Sequence, residues 1–560
     1  QRQMCIRDST MKRLIAILLL AALLLAGCAA QPAPTETATE PAPTLPPPKE
    51  YTVTSSGIPV RTDYSGYTAE KQTVTPRFTR LSDKAMPELT ARDDYGTLYP
   101  FIGKVSESDF STAGMYAFAD AQGRIVTDPV FSRVSLLRNA DRTKGIWCFR
   151  KISPEEITGD SGYSYIDGSE LNGIATEDGS FATDCRYERV CGGDNILMCI
   201  YPQEDSDTPR FDVYDYNGKL LLTSEELPYA DRLYGRIWYY DCVGDYLVVG
   251  LHSGEYKDWG DGNRREIEDL YLSDLNGNLK FGPYSYIGYR EGEYISVTLK
   301  DKTTALLKAD GSYLFGGSFS LIGYNAPDRF LVKQEESSDY QVLDAEGNEI
   351  FTVPNASYFS WDGVGYVSST YDPYSQTYYD RDGNELALPA QGDWTRLGLT
   401  DIFITQSSNG NALFNLETGE SVPVAISAED YVEPCDWENL EFPYIAVNKS
   451  TLNEGYSYFS DTAVYDNRMQ EKVLEFRGRH YMIHDIADDT PYFVAITGST
   501  CTLYNAEMEP VRTLRGIGDQ YSSIMVYDGA ISCFDDRAAY IYDAEGNELI
   551  CYPLYSLLND

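Results

Sequence analysis

The chain has 560 residues, with 45 lysines and arginines against 86 aspartates and glutamates, for a formal net charge of -41. A field of that sign repels nucleic acid, anionic lipid and acidic wall polymers, and leaves neutral sugars, peptides, basic proteins and divalent cations as partners. The length suffices for one large or two ordinary domains with real cores.

The first ten residues, QRQMCIRDST, read as an adapter-derived extension, with Met11 as the native start. Lys12 and Arg13 follow as a short basic stretch, then Leu14 to Leu25 form an apolar run of twelve residues. That is too short for the ~20 residues of a spanning helix, so residues 11–28 are expected to be an export signal. Its end, Leu25-Ala26-Gly27-Cys28, resembles the lipobox of bacterial lipoproteins. The resemblance implies a diacylglyceryl lipid on the Cys28 thiol, cleavage before that residue, and tethering to the extracytoplasmic face of the bacterial cell membrane. Two acyl chains on one residue supply the double anchor that stable attachment takes. Removing the segment before Cys28 takes away four basic residues and one acid, which leaves -44.

Residues 29–50 hold seven prolines and no aromatic residue. Such a segment cannot bury a core and is expected to be an extended stalk, with a reach of up to roughly 65 Å in polyproline geometry.

Beyond it, short runs rich in Tyr, Val, Ile and Phe alternate with Asp-x-x-Gly punctuation, the pattern of strands joined by tight hairpins. Clear copies are FADAQGR at Gly123, VYDYNGK at Gly218, LSDLNGN at Gly277, VLDAEGN at Gly347, YYDRDGN at Gly383 and IYDAEGN at Gly546. Weaker ones fall at Gly179, Gly311 and Gly419, while Met469 and Met508 stand where the glycine would be. Asp accepts hydrogen bonds from nearby backbone amides and Gly supplies the left-handed conformation, so these aspartates are turn residues before they are ligands.

Gly311, Gly347, Gly383 and Gly419 are each 36 residues apart, and the pairs Tyr294-Ile295, Phe330-Leu331, Tyr366-Val367 and Ile402-Phe403 keep the same step. A further echo links SYIGYR, ending at Arg290, to SLIGYN, ending at Asn325. A unit of that size holds about four strands and must stack on its neighbours to cover both faces. The expected class is therefore all-β, a β-propeller of four-stranded repeats of about 36–40 residues, as one propeller or two, with an open β-solenoid as the alternative. The expected division is an N-terminal β-repeat region over 51–284 and a propeller-like region of about seven repeats over 285–560.

The stretch from Gly114 to Val134, with Tyr116, Phe118, Asp120, Gly123, Ile125, Val126, Pro129 and Phe131 in order, resembles the WG repeat of bacterial surface proteins. The Trp-Gly pair itself is absent, with Gly114-Met115 near its position. The resemblance implies a β-repeat fold and carries over no catalytic residue.

Candidates for chemistry are few. Histidines occur only at His252, His480 and His484. The last two have i,i+4 spacing, which on a helix offers two metal ligands, but the alternation around them reads as a strand. The signatures HExxH, GxSxG and the P-loop do not occur. Setting aside Cys5 and Cys28 leaves nine cysteines without a C-x-x-C, read as small apolar strand residues, with one bridge among Cys185, Cys191 and Cys199 left open.

Two stretches read as insertions. In Gly254 to Asp269, Asp258, Asp261 and Asn263 offer oxygens to a calcium ion without the full EF-hand pattern, and Trp259 offers a contact ring. In SSTYDPYSQTYYDRDGN, Tyr371 and Tyr374 offer flat faces for stacking on sugars or peptides. The leading expectation is a non-enzymatic binding or scaffolding module for a glycan or envelope protein. The rivals are an extracellular carbohydrate-active or other hydrolase using paired carboxylates, and a structural spacer.

Overall fold

The computed structural model describes residues 89–556, except 108–111, 128–130, 152–170, 204–207, 259–263, 317–318, 327, 335–336, 372–373, 390–393, 408–409, 423, 428–429, 438, 440, 451–459, 499, 516–523, 535–537 and 554. The export segment, Cys28 and the proline-rich linker lie outside the described residues.

Among the described residues the regular elements are β-strands and a few short 3-10 turns. The strands follow one another in antiparallel order and form eleven successive units. Sheet 1 contains Leu98–Glu107 and Thr112–Asp120, and sheet 2 spans 131–176; the two join through Tyr116 and Phe131. Sheets 3 to 8 span 189–223, 241–284, 286–307, 321–353, 358–379 and 394–421. Sheets 9 and 10, over 431–478 and 479–515, share the long strand Lys472–His484, and sheet 11 spans 524–553. Isolated bridges, such as Ile125 to Ala119 and Tyr313 to Leu307, extend the shorter sheets toward four strands.

A lone meander of this size has two faces to cover, and each is covered by the next sheet. Eleven apolar clusters are described, and each bridges two consecutive sheets, the one between sheets 1 and 2 also taking in Tyr527 of sheet 11. Ile146 and Ile174 of sheet 2 meet Leu197 of sheet 3, for example, and Leu306 of sheet 5 meets Val332 of sheet 6. The last cluster joins the ends of the series: Phe101, Ile102 and Ala117 of sheet 1 pack on Phe534, Ala539 and Ile541 of sheet 11. Tyr555–Ser556 adds a short parallel pairing to Leu98–Glu107. Each fully buried large side chain contributes roughly 1.5–3 kcal/mol, so these inter-sheet clusters, rather than single hairpins, hold the molecule. The succession is closed, and the fold is a β-propeller; the open solenoid does not apply.

The expected division at 284/285 falls between sheets 4 and 5. There Leu270, Leu272 and Tyr284 share a cluster with Ile287, Val297 and Leu307, so no break in the core marks the position.

The expected turns recur through the series: ten lead from the third strand of a unit toward its fourth, and Gly123 follows Thr112–Asp120, the second strand described in sheet 1. All eleven residues, Met469 and Met508 included, have positive φ between 57° and 87°. In ten the amide donates to the carbonyl three residues back, as from Gly347 to Asp344 at 3.1 Å; Gly419 donates to Asn415, four back. The Asp carboxylate accepts from amides two and four residues on, at 3.0 and 2.7 Å for Asp344.

A second constraint is spatial. A Cβ on Gly311, Gly347 or Gly383 would stand 2.8 Å or less from Phe281, Phe315 or Phe351. Each of these phenylalanines lies four residues beyond the turn glycine of the preceding unit. After Gly383 that place is Ala387, and a Cβ at Gly419 would meet nothing within 4 Å. Met469 and Met508 reverse the arrangement, with side chains only 2% and 8% exposed that fill the space between sheets themselves. Burial of a flexible apolar chain offsets the roughly 1–2 kcal/mol of left-handed backbone.

The nine described cysteines form no disulfide, so the bridge left open among Cys185, Cys191 and Cys199 is not made. Seven are buried. Burial pushes the thiol of Cys148 up to about 12.

Candidate binding surface

Because strands alternate in direction, every sheet has two ends. First-to-second and third-to-fourth turns share one end, and their contacts confirm it. Lys144, in the first-to-second turn of sheet 2, donates to Asn217 in the third-to-fourth turn of sheet 3 at 2.8 Å. The amide of Asp194 donates to Gly244 at 2.9 Å, linking first-to-second turns of sheets 3 and 4. The opposite end carries the starts of the first strands and the second-to-third turns.

First strands lie inside the closed succession, since residues beside them reach non-neighbouring sheets. Arg290 of sheet 5 pairs with Asp194 of sheet 3, and Arg142 of sheet 2 with Asp489 of sheet 10. Fourth strands are outside, where Leu220 and Leu279 face solvent.

The exposed large apolar residues concentrate at the opposite end. Tyr286, Leu321, Tyr358 and Tyr431 each open the first strand of their sheet, with exposures of 43%, 38%, 47% and 51%. Trp238, three residues ahead of the first strand of sheet 4, is 65% exposed. Its carbonyl accepts from Arg189, which opens the first strand of sheet 3. Only sheet 8 interrupts the series between sheets 4 and 9: Trp394 opens its strand but turns inward, its indole donating to Pro389. Exposed serines precede three members of the row, as Ser285-Tyr286, Ser320-Leu321 and Ser357-Tyr358.

Both insertions noted in the sequence fall where the second strand of a sheet meets the third, and so share this end. The strands Tyr246–Asp258 and Arg264–Ser273 form a hairpin longer than its flanking strands, with Tyr256 55% exposed. Glu266 braces it, accepting from the Gly254 amide at 2.6 Å and lying 3.0 Å from His252, whose ring stacks on Tyr234. Asp258 ends the first of these strands and pairs with Arg264. Trp259, Asp261 and Asn263 lie outside the described residues. Tyr371 and Tyr374 pair directly, at the end of one strand and the start of the next.

His480 and His484 stand on a strand, not on a helix. They face two different acids of sheet 9: His480 lies 3.6 Å from Glu433, and His484 lies 2.9 Å from Asp436. Burial holds the His480 imidazole down to about 4, hence neutral at physiological pH, with Phe493 stacked on it. Burial also raises the Glu433 carboxyl, opposed by hydrogen bonds from Trp437 and Asn448. Among the described residues no group of three or more His, Cys, Asp or Glu is placed to hold a metal ion. The row of exposed residues was hidden in the sequence by strand propensity, since tyrosine is common throughout; the SYIGYR and SLIGYN echo marked two of its places.

The sheets and their closed packing define an all-β protein of the propeller class. No family model matches the chain, and no curated protein matches it. Among solved structures it is similar to a eukaryotic initiation factor, at 12% identity over 68% of this chain and 93% of that one, with a TM-score of 0.34. It is also similar to BamB from Moraxella catarrhalis, at 11% identity over 64% and 94% with a TM-score of 0.22. A third is the β-propeller domain of Cps50 (Swd1) from Myceliophteria thermophila, at 9% identity over 46% and 94% with a TM-score of 0.21.

Proposed function

We propose that the protein is a lipid-anchored, non-enzymatic binding module that holds a glycan or envelope protein outside the bacterial cell membrane. The observation that carries this reading is the gathering of exposed aromatic and apolar residues at one end of the propeller, where Tyr286, Leu321, Tyr358 and Tyr431 open first strands and Trp238 stands just ahead of one. Rings left half in water on a rigid β frame gain by being covered, and fixed strands hold them in place before a partner arrives. The lipobox-like end at Cys28 and the proline-rich stalk support display at a distance from the membrane. A calcium ion at Asp258, Asp261 and Asn263 is a further proposal of the same reading, as are contacts through Trp259, Tyr371 and Tyr374.

The test has two arms. In cells, Cys28→Ser is expected to abolish labelling by a clickable fatty acid, and unchanged labelling would remove the anchor from the proposal. In solution, residues 49–560 are expected to bind members of a glycan array or an envelope extract and to leave a panel of hydrolase substrates intact. Product release would favour the hydrolase reading instead, and silence in every assay would leave a spacer.

A further inference from the structure

We infer that the row at the first-strand starts of sheets 4 to 7 is a cradle for one neutral polysaccharide chain, laid from Trp238 across Tyr286 and Leu321 to Tyr358. This rests on the binding-module reading above and names its ligand class. Three features of the row point the same way.

The first is charge. In a chain with a net charge of -41, three of the four places in the row are uncharged, Ser285-Tyr286, Ser320-Leu321 and Ser357-Tyr358, and at the fourth, beside Trp238, Arg189 is paired with Asp241. A surface selected to grip a basic protein would place its acids at the contact, because complementary charge steers association and rejects wrong partners. The acids of the recurrent turns are instead at the other end, where their carboxylates already accept backbone amides, as Asp344 and Asp380 do. Lys333, directly across from Leu321, turns its ammonium onto the Tyr340 ring at 4.6 Å.

The second is chemistry. A sugar ring has an apolar face of C–H groups and a rim of hydroxyls. Tyrosine and tryptophan faces match the first, and serine hydroxyls beside them match the second. Ser320 directs its hydroxyl proton to the carbonyls of Lys333 and Gln334, at 2.9 and 3.0 Å, which leaves its oxygen to accept from a sugar hydroxyl.

The third is repetition. In sheets 5 to 7 the residue that opens the first strand is large, apolar and exposed, and Trp238 stands just ahead of that place in sheet 4, so the platforms recur once per sheet, about 10 Å apart for packed sheets. A ligand that meets apolar platforms at regular intervals is itself a repeating polymer. Several weak stacking contacts on one chain then add through effective concentration.

Affinity electrophoresis of residues 49–560 in native gels tests the inference. The gels contain hydroxyethyl cellulose, galactomannan or soluble starch as neutral chains, and polygalacturonate as the anionic one. Retardation by at least one neutral polymer is expected, and none by polygalacturonate. The double variant Tyr286→Ala/Tyr358→Ala should lose at least tenfold in affinity with its melting temperature kept, because both side chains are exposed. Leu220→Ala, on an outer strand, should bind as the parent does. Binding that survives in the double variant, or no retardation by any neutral polymer, would overturn the inference. Cross-linking to an envelope protein that depends on Tyr286 and Tyr358 would overturn the glycan cradle while leaving the binding module intact.

Discussion

At the third-to-fourth turns, glycine answers two separate demands, a left-handed backbone and room for a neighbouring ring. The two can be parted experimentally. Gly347 has φ 87° with Phe315 at 2.8 Å from a virtual Cβ, whereas Gly419 has φ 70° and open space. Gly347→Ala is therefore expected to cost more than Gly419→Ala, which pays only the roughly 1–2 kcal/mol of left-handed strain. Urea unfolding of both variants measures the difference, and equal losses would mean the phenylalanine contact contributes nothing. The carboxylates of Asp215, Asp274, Asp344 and Asp380 resist protonation. At Asp274 burial raises the carboxyl, but hydrogen bonds from Asn278, Lys280 and Asn276 outweigh it and bring it down to about 2. Turn chemistry was readable from sequence because it is local. The paired phenylalanine four residues past the preceding glycine was not, since it acts on the next unit.

The strand Lys472–His484 shows what an element can do that its sequence does not announce. Its first half pairs with Ser460–Asp466 in sheet 9, and its second half pairs with Pro491–Thr497 in sheet 10. Gly478 stands at the change of partner, where a Cβ would come within 1.7 Å of the Ile496 carbonyl oxygen. Gly478→Ala is expected to destabilise the protein by about 3 kcal/mol or more, against a much smaller loss for Gly498→Ala, whose Cβ meets open space. Thermal melts followed by circular dichroism decide between them, and similar midpoints would show that the strand shifts to accept the methyl. Alternation around His480 gave the strand correctly. Pairing with two different sheets depends on partners remote in sequence, so periodicity carried no trace of it.

Across the whole molecule, the 36-residue step made the repeated unit legible, but not the way the series ends. A boundary at 284/285 followed from wider spacings upstream. Between Gly218 and Gly277 the wide spacing arises from the connection 224–240, which carries three 3-10 turns, and from the long hairpin of sheet 4. The clusters pass through that boundary and return from sheet 11 to sheet 1. Residues 285–560 alone would thus expose two core faces at once. That fragment is expected to melt non-cooperatively or aggregate, while residues 49–560 melt in one calorimetric transition. Two independent transitions in the longer protein would contradict a continuous core. The exposed row was the least legible part, because a tyrosine that opens a strand and one that fills a core look alike until neighbours are in place.

Sheet-to-sheet burial also makes the cysteines informative in another way. A thiol reacts as its thiolate, and burial suppresses that form while shutting out reagents. Alkylation of Cys199, Cys435 or Cys501 must then wait for adjacent sheets to part, so the three residues act as clocks at different stations of the propeller. Their labelling rates would rank the seams by how often they breathe, with no probe added to the chain.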